Sequence, residues 1–228
     1  GVEIGVIIAG RKVACHAHVP AGREERHHAA PVPGGATGTG VALDAVSRGL
    51  RVALVERFDL SQGTSSRSTK LVHGGVRYLD LSVKHADLSQ FSLVREALRE
   101  RGILLKNAPH LAHPLPLLTP IYGALELPYY FTGLKLYDML AGKANLSHSR
   151  LIGKVHAAER FPMLRRKGLR GAVEYHDGQF DDARMNVALA MTAARHGAAV
   201  LNHVAVTELV KEKGRVKGAV VVDALGDA

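Results

Sequence analysis

Residues 34–78 are GGATGTGVALDAVSRGLRVALVERFDLSQGTSSRSTKLVHGGVRY. Gly34, Gly35 and Gly38 open the stretch. Val41, Ala42, Ala45 and Val46 then recur at helical spacing, and Gly49 supplies the stop. Arg51–Glu56 is a short β-branched run with an acid at its end. Glycine turn, helix and acid-ended strand form the first half of a doubly wound α/β sheet that binds a dinucleotide. Gly35 and Gly38 occupy the later two places of G-x-G-x-x-G. The place of Gly35 allows close backbone approach to a pyrophosphate, and that of Gly38 allows tight helix packing. Glu56 lies 18 residues beyond Gly38, where a carboxylate can accept ribose hydroxyls. Pro33 stands where the first glycine of the pattern belongs, and a proline has neither an N–H nor a free φ.

Upstream, Val2–Ala9 is nearly continuous in apolar character and reads as a buried parallel strand, the first of the sheet. Residues 11–33 hold four histidines, three prolines and the single cysteine, Cys15, without periodicity; they read as an irregular insert between that strand and Gly34. His16, His18, His27 and His28 match no metal-ligand spacing. One cysteine excludes an internal disulfide framework.

Downstream, Ser61–Thr69 carries six hydroxyl residues in nine. A helix is expected over 83–106, from Leu88, Phe91, Val94, Ala97, Leu98 and Leu105. Prolines 114, 116 and 120 mark 110–122 as edge structure. A second helix over 127–140 carries Tyr129, Tyr130, Phe131, Leu134 and Tyr137, a stripe expected to be mainly core. A strand is expected over 168–177 and a helix over 183–196 behind Asp181 and Asp182. Short strands over 199–201, 204–210 and 216–222 follow.

The chain has 228 residues, 46% of them hydrophobic, a mean hydropathy of +0.02 and a formal charge of +9. No run reaches the ~20 apolar residues of a spanning helix. The basic residues are dispersed, with no aromatic-plus-basic platform. The charge therefore reads as a solvated surface, and nucleic acid is not an expected partner.

The run GTSSRSTKLVHGGVRYL (residues 63–79) resembles the signature of FAD-dependent, quinone-linked glycerol-3-phosphate dehydrogenase. GGATGTGVALDAVSRGLRVALVER, NAPHLAHPLPLLTP, GLKLYDMLAG and YHDGQFDDARMNVALAMTAARHGAAVLNH are similar to further segments of that family. The resemblance implies an FAD-binding doubly wound sheet of the glutathione-reductase type, interleaved with a substrate cap. It also implies oxidation of sn-glycerol 3-phosphate to dihydroxyacetone phosphate, with electrons passed to ubiquinone. The expected location is peripheral, on the mitochondrial inner membrane or the bacterial cytoplasmic membrane, with a homodimer left open. Along the chain it implies an irregular segment over 1–33, an FAD-binding portion over 34–108, a cap over 109–180 and a return to the FAD-binding portion over 181–228. The sheet and cap are expected to continue past residue 228, leaving the isolated chain inactive.

By the same resemblance, Gly34, Gly35 and Gly38 meet the diphosphate and Glu56 the adenosine ribose. Thr64, Ser65 and Ser66 lie along the flavin, with Lys70, His73 and Gly74 near the isoalloxazine. Val206 offers its backbone to adenine, while Arg77 and Tyr78 line the substrate pocket. His73 is a candidate base by ring chemistry alone. Arg77 could instead pair with Asp80 or Asp87. A flavin oxidase using oxygen, and a basic fragment with a binding role, stand as alternative readings.

Overall fold

The computed structural model describes the strands Val6–Ala9 and Lys12–His16 as backbone, and residues 34–85 and 87–225. The chain divides into two units, residues 1–68 with 181–228, and residues 69–180.

In the first unit, helix α1 (Ala36–Ser47) leads to strand β3 (Ala53–Val55), and helix α6 (Asp182–Arg195) leads to strand β8 (Ala199–Leu201). β3 and β8 pair in parallel, Ala53 opposite Ala199 and Val55 opposite Leu201. Ala42, Val46, Val52, Leu54, Ala190, Ala193 and Ala198 form one buried cluster. The alanines keep α1 and α6 close together, the contact that brings α6 residues under the glycine turn.

A four-stranded antiparallel sheet accompanies this pair, in the order β1 (Val6–Ala9), β2 (Lys12–His16), β10 (Arg215–Asp223), β9 (Val204–Glu212). The reading of Val2–Ala9 as the first parallel strand is corrected here, because Val6–Ala9 pairs antiparallel with Lys12–His16. An apolar run specifies burial, not direction, and the two-residue connection 10–11 is long enough only for an antiparallel return. Lys12–His16 is likewise a strand inside the stretch read as irregular. Residues 2–5 and 17–33, with His18, His27, His28 and Pro33, lie outside the described residues.

The second unit is built on strand β7 (Gly171–Phe180), flanked by β4 (Leu71–Val72), β5 (Ala112–Ile121) and β6 (Arg150–Gly153), all antiparallel to it. β5 pairs with β7 over ten residues. Pro114, Pro116 and Pro120 share one parity, so all three missing N–H groups fall on the side away from β7, as an edge strand allows.

Three helices pack here: α2 (Val76–His85), α3 (Leu88–Asn107) and α4 (Glu126–Ala141). The helix expected over 83–106 is thus two. Asp87 ends the first and caps the second, accepting from the Ser89 and Gln90 amides. Leu79, Val94, Leu98, Tyr137 and Ala141 join the three helices in one cluster. The compact units divide between Ser68 and Thr69, inside the portion 34–108 expected to bind FAD. Of the aromatic stripe, Leu134 and Tyr137 are buried while Tyr129 and Tyr130 are exposed. Helix α5 (Lys154–Arg160) follows β6.

His176 of β7 carries a buried Nδ1 with no hydrogen-bond partner among the described residues. Burial, then the charges of Arg150 and Arg160, hold its ring below the usual histidine range, with Asp138 opposing. A depressed folded value means that the unfolded chain binds the extra proton first. The contribution to stability is therefore full above about pH 6.5 and is lost as pH drops from there toward the folded value. Urea midpoints of the full-length protein across pH 5 to 8 are expected to show this slope. His176→Phe should flatten it, and an unchanged slope would refute the assignment.

Candidate functional site

The glycine turn is held from three directions. Gly35 is the N-cap of α1 with extended backbone and no side chain to offer. The first helical hydrogen bond runs from Thr39 N–H to the Gly35 carbonyl, so the amides of Ala36, Thr37 and Gly38 lie outside the ladder. Ser65 Oγ, on a 3-10 turn (Thr64–Ser66), accepts from the Ala36 amide at 2.9 Å. Thr37 and Gly38 N–H have no acceptor among the described residues. No acid sits in the first turn of α1, so the positive end of the helix is left for an incoming anion.

Glu56 closes the second direction. Its Oε2 accepts from Gly34 N–H at 2.9 Å and its Oε1 from Phe58 N–H at 3.0 Å. Its backbone is fixed as well, donating to the Leu201 carbonyl and accepting from Val204 N–H. A Cβ on Gly34 would stand 2.7 Å from Glu56 Cβ and 2.8 Å from Leu60 Cδ2, so only glycine admits this approach. The carboxylate keeps lone pairs for further donors after these two bonds.

The third direction was missed by the sequence reading. Asn186 of α6 is 1% exposed. Its Nδ2 donates to the Gly34 carbonyl at 2.8 Å and to Ser61 Oγ at 2.7 Å, and its Oδ1 accepts from the Thr39 hydroxyl. Ser61 is itself held at φ 67°, a left-handed conformation that a non-glycine residue adopts at a cost. Nearby, Asp182 accepts from both the amide and the hydroxyl of Ser68. The only sequence signal for Asn186 is an amide on the helix face shared with Asp182, Met185 and Ala190. Amides on such a face are commonplace, so the signal named no partner.

Val206 lies in β9 opposite Val221, beside a register shift that leaves Thr207 as the extra residue. Gly34, Gly35, Gly38, Glu56, Thr64, Ser65, Ser66 and Val206 all belong to the first unit. Ser65 is placed at the N-terminus of α1, the diphosphate end of such a site.

Lys70, His73, Gly74, Arg77 and Tyr78 belong to the second unit. Lys70 adopts φ 59°, and its carbonyl accepts from Phe180 N–H. His73 Nδ1 accepts from Gly75 N–H at 3.1 Å. A neutral ring so engaged carries its proton on Nε2, and the free nitrogen is then a donor rather than a base. Gly74 N–H donates to Tyr137 Oη at 2.7 Å. The hydroxyl of Tyr137 donates to Asp177 Oδ1 at 3.0 Å, and Arg101 Nη1 donates to the same oxygen at 2.6 Å.

Neither carboxylate offered to Arg77 by the sequence is paired with it. Asp80 takes Lys84 at 2.7 Å, and Asp87 is a helix cap. Arg77 instead lines a cavity of about 700 Å³ with Asp80, Thr119, Tyr129 and Tyr175. Tyr78 is not among the lining residues and is exposed. Burial first, then Asp177, pushes the Tyr175 phenol up to about 12, so it remains a donor at neutral pH.

Residues 34–227 match the family described as FAD dependent oxidoreductase. The chain belongs to that family. FAD is the family's cofactor, and the uncapped helix, the amides outside the ladder and the acid at the strand end fit its diphosphate and ribose. The chain is 54% identical over 200 residues to the mitochondrial glycerol-3-phosphate dehydrogenase of Homo sapiens, covering 85% of this chain and 28% of that protein. It is 55% identical over 194 residues to a mitochondrial glycerol-3-phosphate dehydrogenase of Arabidopsis thaliana, 82% of this chain and 31% of the relative. The chain thus spans less than a third of these relatives. Among solved structures, it is similar to glycerol-3-phosphate dehydrogenase from Bacillus halodurans complexed with FAD. That match has a TM-score of 0.59 at 32% identity over 88% of this chain and 31% of the other. An L-α-glycerophosphate oxidase from Mycoplasma pneumoniae with FAD bound shares the fold at 16% identity, with a TM-score of 0.62 over 82% and 47% of the two chains. No helix among the described residues is long and apolar enough to cross a membrane, and no metal-holding cluster occurs among them.

Proposed function

We propose that the protein carrying this chain is a mitochondrial flavoenzyme that oxidises sn-glycerol 3-phosphate to dihydroxyacetone phosphate and passes the electrons to a quinone at the inner membrane. The observation that carries the reading is the 54% identity to the human dehydrogenase over the residues that build both the glycine turn and the Arg77 cavity. FAD, when bound, supplies the two-electron acceptor.

The residues of this chain bind and orient. The amides of Gly35, Thr37 and Gly38 hold the diphosphate, and Glu56 accepts the adenosine ribose hydroxyls. Val206 offers its backbone to adenine. Thr64, Ser65 and Ser66 contribute hydroxyls, Ser65 at the diphosphate. Lys70, His73 and Gly74 are assigned to the isoalloxazine, with His73 presenting Nε2–H as a donor. Arg77 grips the substrate phosphate through its planar pair of donors, with Tyr78 beside it in sequence. Tyr175 offers a protonated phenol to the same cavity. The chain spans less than a third of these relatives, and as an isolated piece it is expected not to turn over.

The full-length protein is expected to bleach at its visible flavin band with sn-glycerol 3-phosphate but not with glycerol, and to reduce a soluble ubiquinone analogue. Peroxide release at the rate of substrate loss would instead support the oxidase reading. Absence of bleaching would overturn the substrate assignment.

A further inference from the structure

In a trans peptide the C=O of one residue and the N–H of the next point in opposite directions. The Gly34 carbonyl is drawn inward to a side chain that is 1% exposed, Asn186, at 2.8 Å. The Gly35 N–H of the same peptide therefore faces the other way, toward the side on which Ala36 and Thr37 are exposed. It has no acceptor among the described residues. Which face of this peptide meets an anion is decided by the hydrogen bond beneath it. With the peptide reversed, a carbonyl oxygen would face the phosphate and repel it.

The amide of Asn186 has no slack. Both its N–H groups are used, on Gly34 O and Ser61 Oγ, and its oxygen takes the Thr39 hydroxyl. A flipped amide would set oxygen against the Gly34 carbonyl, so the network permits one orientation. The same residue ties α6 to three other places: the turn, the first helix and the left-handed Ser61. Gly34 is simultaneously held on its N–H by Glu56. Both polar groups of Gly34 are thus occupied by protein, and the outward donors begin at Gly35.

We infer that Asn186 is the positioning residue that aims the glycine turn at the FAD diphosphate. It touches the turn from the inside and does not contact the cofactor. This rests on the reading of the turn at Gly34–Gly38 as the diphosphate site. The isosteric change Asn186→Asp removes the donors and sets a carboxylate beneath the Gly34 carbonyl. Asn186→Leu fills a similar volume without any hydrogen bond.

The test uses the full-length protein stripped of flavin and titrated with FAD, following flavin fluorescence below the unfolding range of every variant. Asn186→Leu and Asn186→Asp are expected to raise the FAD Kd at least tenfold. Val46→Ala, in the same α1–α6 core, lowers stability without touching the turn, and should change the Kd less than twofold. Equal weakening in Val46→Ala at equal loss of stability would overturn the inference, leaving Asn186 a structural residue only. Gly35→Val, which puts a branched side chain at the mouth of the helix, separates the diphosphate site from the residue beneath it. If it raises the Kd while the Asn186 variants do not, the positioning role alone fails. If Gly35→Val leaves the Kd unchanged, the turn is not the diphosphate site and the inference falls with it. Should Asn186→Leu fail to fold, Asn186→Asp and Ser61→Ala carry the comparison. Ser61→Ala removes one of the two acceptors and is expected to raise the Kd by a smaller factor. An unchanged Kd in both would again overturn the role.

Discussion

Arg101→Met is expected to destabilise the second unit by about 3–5 kcal/mol, the cost of leaving one member of a buried ion pair without the other. Arg101 and Asp177 are 1% and 2% exposed in their side chains and 2.6 Å apart. Arg101 also reaches the carbonyls of His176 and Ala144, at 3.3 Å each, so a single side chain ties α3 to β7 and to the turn after α4. Removing it leaves a carboxylate buried beside Tyr137, whose phenol already lies well above its usual range through burial and then the charge of Asp177. Urea denaturation of the full-length protein should show the loss as a lower midpoint for the transition that reports the second unit. The double variant Arg101→Met/Asp177→Leu should recover at least half of the loss, because no uncompensated charge then remains. A single variant whose midpoint equals that of the parent would refute the pair's role.

Gly74→Ala has the second-largest expected effect. A Cβ there would lie 2.4 Å from both Cγ and Cδ2 of Leu98 and 2.8 Å from Tyr137 Oη. Both neighbours sit in the three-helix core, so neither retreats freely. Overpacking of this kind costs about 1–3 kcal/mol. Here it also displaces the phenol that accepts from Gly74 N–H and donates to Asp177. Leu98→Ala should relieve part of the strain, so Gly74→Ala/Leu98→Ala is expected to be more stable than the sum of the two single losses predicts. Additive losses in chemical denaturation would show that the clash is relaxed some other way. If the turn at His73–Gly75 faces the isoalloxazine, Gly74→Ala should also shift the visible flavin spectrum.

The two networks were unequally legible in the sequence. Gly34, Gly38, Glu56 and the helix between them obey local rules: a glycine where the backbone must approach closely, a 3.6-residue period, an acid at a strand end. Such signals span a few residues and survive without tertiary knowledge. Asn186, Arg101 and Asp177 each carry a type that is usually solvated. Their burial follows from partners 76 residues away for Arg101 and 152 for Asn186 and Gly34. No window of sequence contains both ends of such a bond. The helix break at Asp87 has a local signal, Asp87 with Gln90 three residues on, but the apolar period runs across it and hides the cap.

By itself the sequence determined the glycine turn, the strand acid, most helices and strands downstream, and the resemblance that led to FAD. All of these rest on local backbone preference and on motif spacing. The tertiary structure alone decided that Val6–Ala9 pairs antiparallel, that α2 and α3 pack with the second unit, and that Asn186 holds the Gly34 carbonyl inward. Those depend on which buried polar group finds which partner. Pairing energies decide that only once the chain has closed on itself.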